Sequence, residues 1–164
     1  MVFSHVDQDG NAVMVDVGGK AITRREAVAA GTIYMSRECF AMVRGGRLEK
    51  GDVLGVAQVA GIMAAKRTPE LIPLCHSLNL TKAAVEFSLH EEVCAVRVIC
   101  TVRCEGKTGV EMEALTGTSV ALLTVYDMCK AIDPHMRIDE IQLLEKTGGK
   151  CGLIRTETGD VHTG

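Results

Sequence analysis

Two neighbouring segments alternate between apolar and polar residues, and this pattern constrains the fold more than any other feature of the chain. Residues 80–89 carry apolar side chains on one face at Ala83, Val85, Phe87 and Leu89. Residues 94–104 do the same at Val96, Val98, Cys100 and Val102. A period of two predicts β-strands, and the short His90-Glu91-Glu92 connection predicts that the two strands form an antiparallel hairpin.

The remaining elements are predicted from their termini. The first is a strand over 24–34, followed by a helix that Ser36 caps, that runs through Val43 and that stops at Gly45-Gly46. A second helix is capped by Asp52 and ends near Thr68-Pro69. A long helix over about 109–132 ends at Asp133-Pro134, and a last strand covers about 137–146. Thr108 and Glu111 match a capping box at the start of the long helix. The order β-α-β-β-α-β predicts an α+β, ferredoxin-like fold with helices on one face of an antiparallel sheet. We expect another subunit to cover part of the open face or its edge.

The composition is that of one soluble domain. The 164 residues, 47% of them hydrophobic, suffice for a single core, which must be built from aliphatic side chains because there is no Trp and few other aromatics. We expect the domain to span 1–164 with short flexible tails over about 1–12 and 153–164. A formal net charge of −3 does not favour nucleic-acid binding. The N-terminus lacks the pattern of a secretory signal, and we expect a cytoplasmic protein.

Seven cysteines are present, at 39, 75, 94, 100, 104, 129 and 151. An odd number without a CxxC pair argues against a disulfide framework and against a zinc site. We interpret them as small buried hydrophobic residues in a reducing compartment.

Charged residues within the long helix are candidates for function. Glu113 and Asp127 are fourteen positions apart, close to four full turns, so we predict that they share a face. Lys130 follows Asp127 by three positions and lies on the neighbouring strip. The alternative is an ordinary solvated helix face with an Asp-Lys pair.

Several further candidates lie in loops and at helix ends. His76 in LIPLCHSL could carry a proton or bind phosphate, or could be a buried histidine with satisfied hydrogen bonds. Lys146 and Lys150 flank Gly148-Gly149, a combination that suits an anion but is also typical of a surface turn. Lys50 precedes the second helix and Lys66 ends it. Basic clusters without overall basicity favour a small polyanionic substrate over a polymer.

Four long stretches resemble the cyclic pyranopterin monophosphate synthase family, molybdenum cofactor biosynthesis protein C. They are MVDVGGKAITRREA, KGDVLGVAQVAGIMAAKRTPELIPLCHSL, KTGVEMEALTGTSVALLTVYDMCKA and LLEKTGGKCG. The resemblance implies a lyase that converts a cyclised dihydroguanosine triphosphate into cyclic pyranopterin monophosphate and diphosphate without a metal or other cofactor. It also implies a ferredoxin-like homohexamer, a trimer of dimers, with active sites at subunit interfaces.

The resemblance also implies roles for individual residues. Asp127 matches the family's catalytic acid or base, and Lys50 and Lys130 match its catalytic lysines. The residues that match its substrate-binding segments are Leu74, Cys75, His76, Met112 and Glu113. Those that look like its basic pocket are Arg25, Lys66, Lys146 and Lys150.

These residues support a hypothesis for the mechanism. Lys50 and Lys130 would act as bases with lowered pKa values, and Asp127 would hold Lys130 and set its protonation. Glu113 would accept hydrogen bonds from guanine-type N–H groups, while Arg25, Lys66 and Lys146 would hold the phosphates.

Two other classes of protein share this pattern. Ferredoxin-like nucleic-acid modules stack bases on aromatic side chains, and strand 94–104 has none. The sequence pattern alone does not exclude a regulatory domain that binds a small molecule without turnover, and an assay for turnover of the cyclised nucleotide separates it from an enzyme.

Overall fold

The computed structural model describes residues 5–46, 51–149 and 152–156. Its elements in chain order are β1 (Thr23–Tyr34), α1 (Arg37–Gly45), α2 (Val53–Lys66), α3 (Thr68–Leu71), β2 (Leu80–His90), a 3₁₀ turn (Glu91–Val93), β3 (Ala95–Gly106), α4 (Glu111–Cys129), β4 (Arg137–Thr147) and β5 (Ile154–Arg155). No helix in these ranges is both long enough and apolar enough to cross a membrane.

The strands form one sheet in the order β2-β3-β1-β4-β5, and every neighbouring pair is antiparallel. The first four strands have the ferredoxin-like arrangement, so the predicted fold class and the β2–β3 hairpin are confirmed. On β3, Val96, Val98, Cys100, Val102 and Cys104 are fully buried. Their alternation with half-buried residues explains why this strand could be predicted from the sequence.

Capping residues fix the starts of α1 and α2 as predicted. The Ser36 hydroxyl accepts a hydrogen bond from the Cys39 amide at 3.2 Å, and Asp52 accepts one from the Gly55 amide at 2.9 Å. Gly46 ends α1 in the left-handed conformation, at φ 60°, which glycine adopts without strain.

The start of α4 was predicted wrongly. Its N-cap is Val110, no side chain caps it, and it ends at Cys129, so the helix is shorter than the predicted 109–132. The Thr108–Glu111 capping box does not form. The Glu111 carboxylate instead accepts a hydrogen bond from Lys146 at 3.0 Å, because an ammonium group on β4 lies within its reach.

Two glycines let α2 and α4 pack against each other at short distance. A Cβ on Gly61 would lie 2.8 Å from the Gly117 carbonyl oxygen and 3.2 Å from the Ala121 Cβ. A Cβ on Gly117 would lie 3.5 Å from the Ala65 Cβ. The pairing of later α2 residues with earlier α4 residues makes the helices antiparallel. The end of α2 therefore meets the start of α4.

The sheet contains one strand that was not predicted. Ile154–Arg155 forms β5, which pairs with Glu145 and Lys146 at the sheet edge. These two residues fall in the segment expected to be a tail. Two residues are too few to give a periodic pattern.

Four of the cysteines are buried as expected, namely Cys39, Cys100, Cys104 and Cys129. Cys75 and Cys94 are half-buried, and Cys151 lies outside the described residues.

Candidate active site

One face of the sheet brings basic side chains to the start of α4. Arg25 on β1 pairs directly with Cys104 on β3, and Ala27 pairs with Lys146 on β4. Paired residues and residues two apart share a face, so Arg25 and Lys146 lie side by side there. The Lys146 ion pair with Glu111 confirms that this face is the one toward α4.

The Gly148-Gly149 segment lies against Arg25. Both glycines have positive φ, 99° and 76°, and a side chain on either would collide with the arginine side chain or the neighbouring backbone. Arg25 itself donates to the carbonyl oxygens of Gly106 and Lys107, at 3.4 and 3.3 Å. The guanidinium is thus held in place by backbone carbonyl oxygens and not by an acid in the described part of the chain.

Glu113 is a buried carboxylate within this region. Only 3% of the residue is exposed. Burial raises the pKa of Glu113, and the charge of Glu111 raises it further, against a hydrogen bond from its own backbone amide that lowers it. Burial followed by the charge of Glu113 also raises the pKa of the Cys75 thiol. The charge of Glu113 therefore acts on Cys75.

The other predicted binding residues surround this region or lie close to it along the chain. The His76 ring hydrogen-bonds through Nε2 to the Val15 carbonyl oxygen at 2.8 Å. Leu74 is half-buried beside His76 in the chain, and Met112 is exposed beside Glu113. Lys66 is exposed at the end of α2, which the antiparallel packing brings to the start of α4. We call the region formed by Arg25, Glu111, Glu113 and Lys146 the carboxylate end.

Asp127 and Lys130 lie at the opposite end of α4. Lys130 donates to Asp127 at 2.7 Å, as the spacing of three residues predicts, and the side chains are 54% and 67% exposed, respectively. The hydrogen bond and the charge of Asp127 raise the pKa of Lys130. The hypothesis of a lowered pKa for Lys130 is therefore wrong for this chain, because the nearest charged group is an acid. We call this pair the lysine end.

Glu113 and Asp127 differ in burial, although their spacing of fourteen residues brings them within about 40° of the same face. The same fourteen residues span about 21 Å along the helix axis. The carboxylate end and the lysine end are thus separate places on one chain.

Sequence reasoning missed one member of the carboxylate end. Glu111 was assigned to a cap, yet it holds Lys146 and raises the pKa values of Glu113 and Cys104 by its charge. Glu-x-Glu at a helix start would have been a signal for two carboxylates close together. Lys50 and Lys150 fall outside the described residues, so their predicted roles remain predictions.

The fold and the carboxylate end define a ferredoxin-like α+β protein with a charged site at the start of its long helix. Residues 14–149 match the model of the MoaC family, and the chain belongs to this family. A relative from Chloroflexus aurantiacus is 59% identical over 149 residues, 91% of each chain. One from Heliobacterium modesticaldum is 58% identical over 155 residues, 94% of this chain and 98% of the relative. One from Peptoclostridium acidaminophilum is 55% identical over 158 residues, which cover 96% of this chain and 99% of the relative. Each of these relatives is named cyclic pyranopterin monophosphate synthase.

Proposed function

We propose that this protein is a lyase of molybdenum cofactor biosynthesis that acts in the cytoplasm. It converts a cyclised dihydroguanosine triphosphate into cyclic pyranopterin monophosphate and releases diphosphate. The observation that carries the proposal is the carboxylate end, where a buried glutamate lies near fixed cations within the residues that match the MoaC family.

The charges of the carboxylate end suit a nucleoside triphosphate. Arg25 and Lys146 supply positive charge on one sheet face, and Lys66 lies exposed at the adjoining helix end. Charge-assisted hydrogen bonds from such groups are the usual means of holding phosphate. Glu113 is the acceptor for guanine-type N–H donors, and a bound base that donates to it relieves the cost of its burial.

The reaction also needs groups that move protons, and these come from the lysine end. The Asp127 charge keeps Lys130 protonated, so Lys130 acts as a general acid or as a cation beside the leaving group. Asp127 holds the lysine and takes the proton-accepting role. Lys50 belongs to the same set by the family resemblance.

We further propose that each active site combines the carboxylate end of one chain with the lysine end of another. The separation of about 21 Å along α4 is too large for one small substrate to contact both ends of one chain. The outer face of α2 exposes Val56, Val59 and Met63, an apolar strip that another copy would cover. The homohexamer implied by the family supplies such neighbours.

Diphosphate release tests the reaction. The purified protein is incubated with the cyclised nucleotide beside an Asp127→Ala variant and an Asp139→Ala control, which removes an exposed carboxylate paired with Arg137 instead. We expect release by the wild type and the control and none by Asp127→Ala. Binding of the nucleotide without any release would instead favour a regulatory domain and refute the proposed reaction.

A further inference from the structure

Thr23, the first residue of β1, has a hydroxyl that the fold leaves without a partner. Its Oγ1 is shielded from solvent, and it makes no hydrogen bond within the described ranges. A buried polar atom without a partner costs about 1–3 kcal/mol, so folded proteins pair nearly all of them. An unpaired one at the edge of a binding site is a candidate for a hydrogen bond to a bound ligand.

The neighbours of Thr23 include two basic residues, Arg25 of the carboxylate end and Lys107. Arg25 is two positions further along the strand, on the same face, and its guanidinium donates to Gly106, the residue paired with Thr23. Lys107 follows Gly106, and its ammonium group donates to the Gly18 carbonyl oxygen at 2.6 Å. The hydroxyl therefore lies at the edge of the basic face.

The charges of Arg25 and Lys107 are not neutralised by acids among the described residues, whereas Lys146 is paired with Glu111. Arg25 and Lys107 both donate to backbone carbonyl oxygens, and neither forms an ion pair with a carboxylate in the part of the chain that the structure describes. Carbonyl oxygens orient a cation but carry no net charge. The potential beside Thr23 thus favours an anionic oxygen, which accepts a hydrogen bond from a hydroxyl.

We propose that the Thr23 hydroxyl donates a hydrogen bond to a phosphate oxygen of a polyphosphate held by Arg25 and Lys146. This inference rests on the proposed function, since it assigns a further binding residue to the same site. Thr23 as a residue is only half-buried, so a change of its χ1 rotamer can bring the hydroxyl to the surface when the anion arrives.

Thr23→Val separates a ligand role from a structural one. Valine keeps the shape and the β-branching that suit a strand and removes only the hydroxyl. The control is Thr32→Val, which removes a hydroxyl that donates to Glu140 at 3.1 Å on the same strand. The assays are the melting temperature, the affinity for inorganic tripolyphosphate by calorimetry, and KM and kcat for the cyclised nucleotide.

For Thr23→Val we expect an unchanged or raised melting temperature, because no internal hydrogen bond is lost. Tripolyphosphate binding should weaken by about tenfold or more, KM should rise similarly and more than kcat falls, and Thr23→Ser should restore both. Thr32→Val should melt lower and bind normally. Equal tripolyphosphate affinity of Thr23→Val and wild type, or no binding by the wild type, would overturn the inference. Because this binding assay involves no turnover, its result is independent of whether the proposed reaction occurs.

Discussion

At the scale of single residues, Glu113 combines a cost to stability with a proposed role in substrate binding. The fold takes its carboxylate almost entirely out of water, and desolvation disfavours the charged form. Buried titratable groups with perturbed pKa values are typical of functional sites. Helical spacing and the family resemblance both made this residue a candidate, but neither indicated its burial. Burial depends on what packs against the helix, and spacing carries no information about that.

The raised pKa of Glu113 predicts how stability depends on pH. Between the ordinary value of 4.5 and the raised value, the folded chain binds more protons than the unfolded chain. The free energy of unfolding therefore falls as pH rises through this window. Because glutamine does not ionise, Glu113→Gln removes this decrease in the free energy of unfolding. We expect the variant to melt above the wild type at pH 7, with the difference shrinking as pH falls toward 4.5, and to lose diphosphate release.

Thermal melts across this pH range check the prediction. Glu86→Gln, which removes an exposed carboxylate from β2, is the control for losing one negative charge. A Glu113→Gln variant that melts below the wild type at pH 7 would mean that the carboxylate contributes bonds that outweigh its desolvation.

At the scale of elements, close contact between α2 and α4 determines where the site residues lie. The positions of α1 and α2, the hairpin and the caps at Ser36 and Asp52 follow from local patterns, and the sequence predicted them correctly. The cap of α4 was predicted wrongly because Lys146, remote in sequence, competes for Glu111. Strand β5 escaped prediction because its pairing with β4 is also remote in sequence. Caps and alternating patterns therefore predicted local structure, whereas the α4 cap and strand β5 were missed because they depend on contacts between residues remote in sequence.

Gly117→Ala tests the helix contact. The added Cβ would lie 2.7 Å from the Cys100 sulfur and 3.1 Å from the Gly61 carbonyl oxygen, so α4 must move away from the sheet or from α2. We expect a loss of about 1–3 kcal/mol in the free energy of unfolding, as for other overpacked cores. Urea unfolding measures it. Gly19→Ala, where a Cβ meets no atom within 4 Å, should leave stability unchanged or slightly raised. Equal stability of both variants would contradict the close packing.

At the scale of the whole molecule, the proposed active site is a property of an assembly. One chain carries a buried carboxylate with fixed cations near the start of α4 and an exposed Asp127–Lys130 pair near its end. The family resemblance implies that both serve one reaction, whereas the structure separates them along the helix. The pattern of residues therefore predicts roles for these groups but not which chain supplies each one, since one sequence does not encode the symmetry of its assembly directly.

Complementation between two inactive variants tests this account most directly. Glu113→Gln disables the carboxylate end and Asp127→Asn disables the lysine end, and the two are unfolded together and refolded as a mixture. If each site takes one end from each of two chains, about a quarter of the sites in an equal mixture receive two intact ends. We predict that each variant alone releases almost no diphosphate and that the mixture recovers about a quarter of the wild-type rate. A mixture as inactive as its components, while wild type refolded in the same way is active, would contradict the shared site.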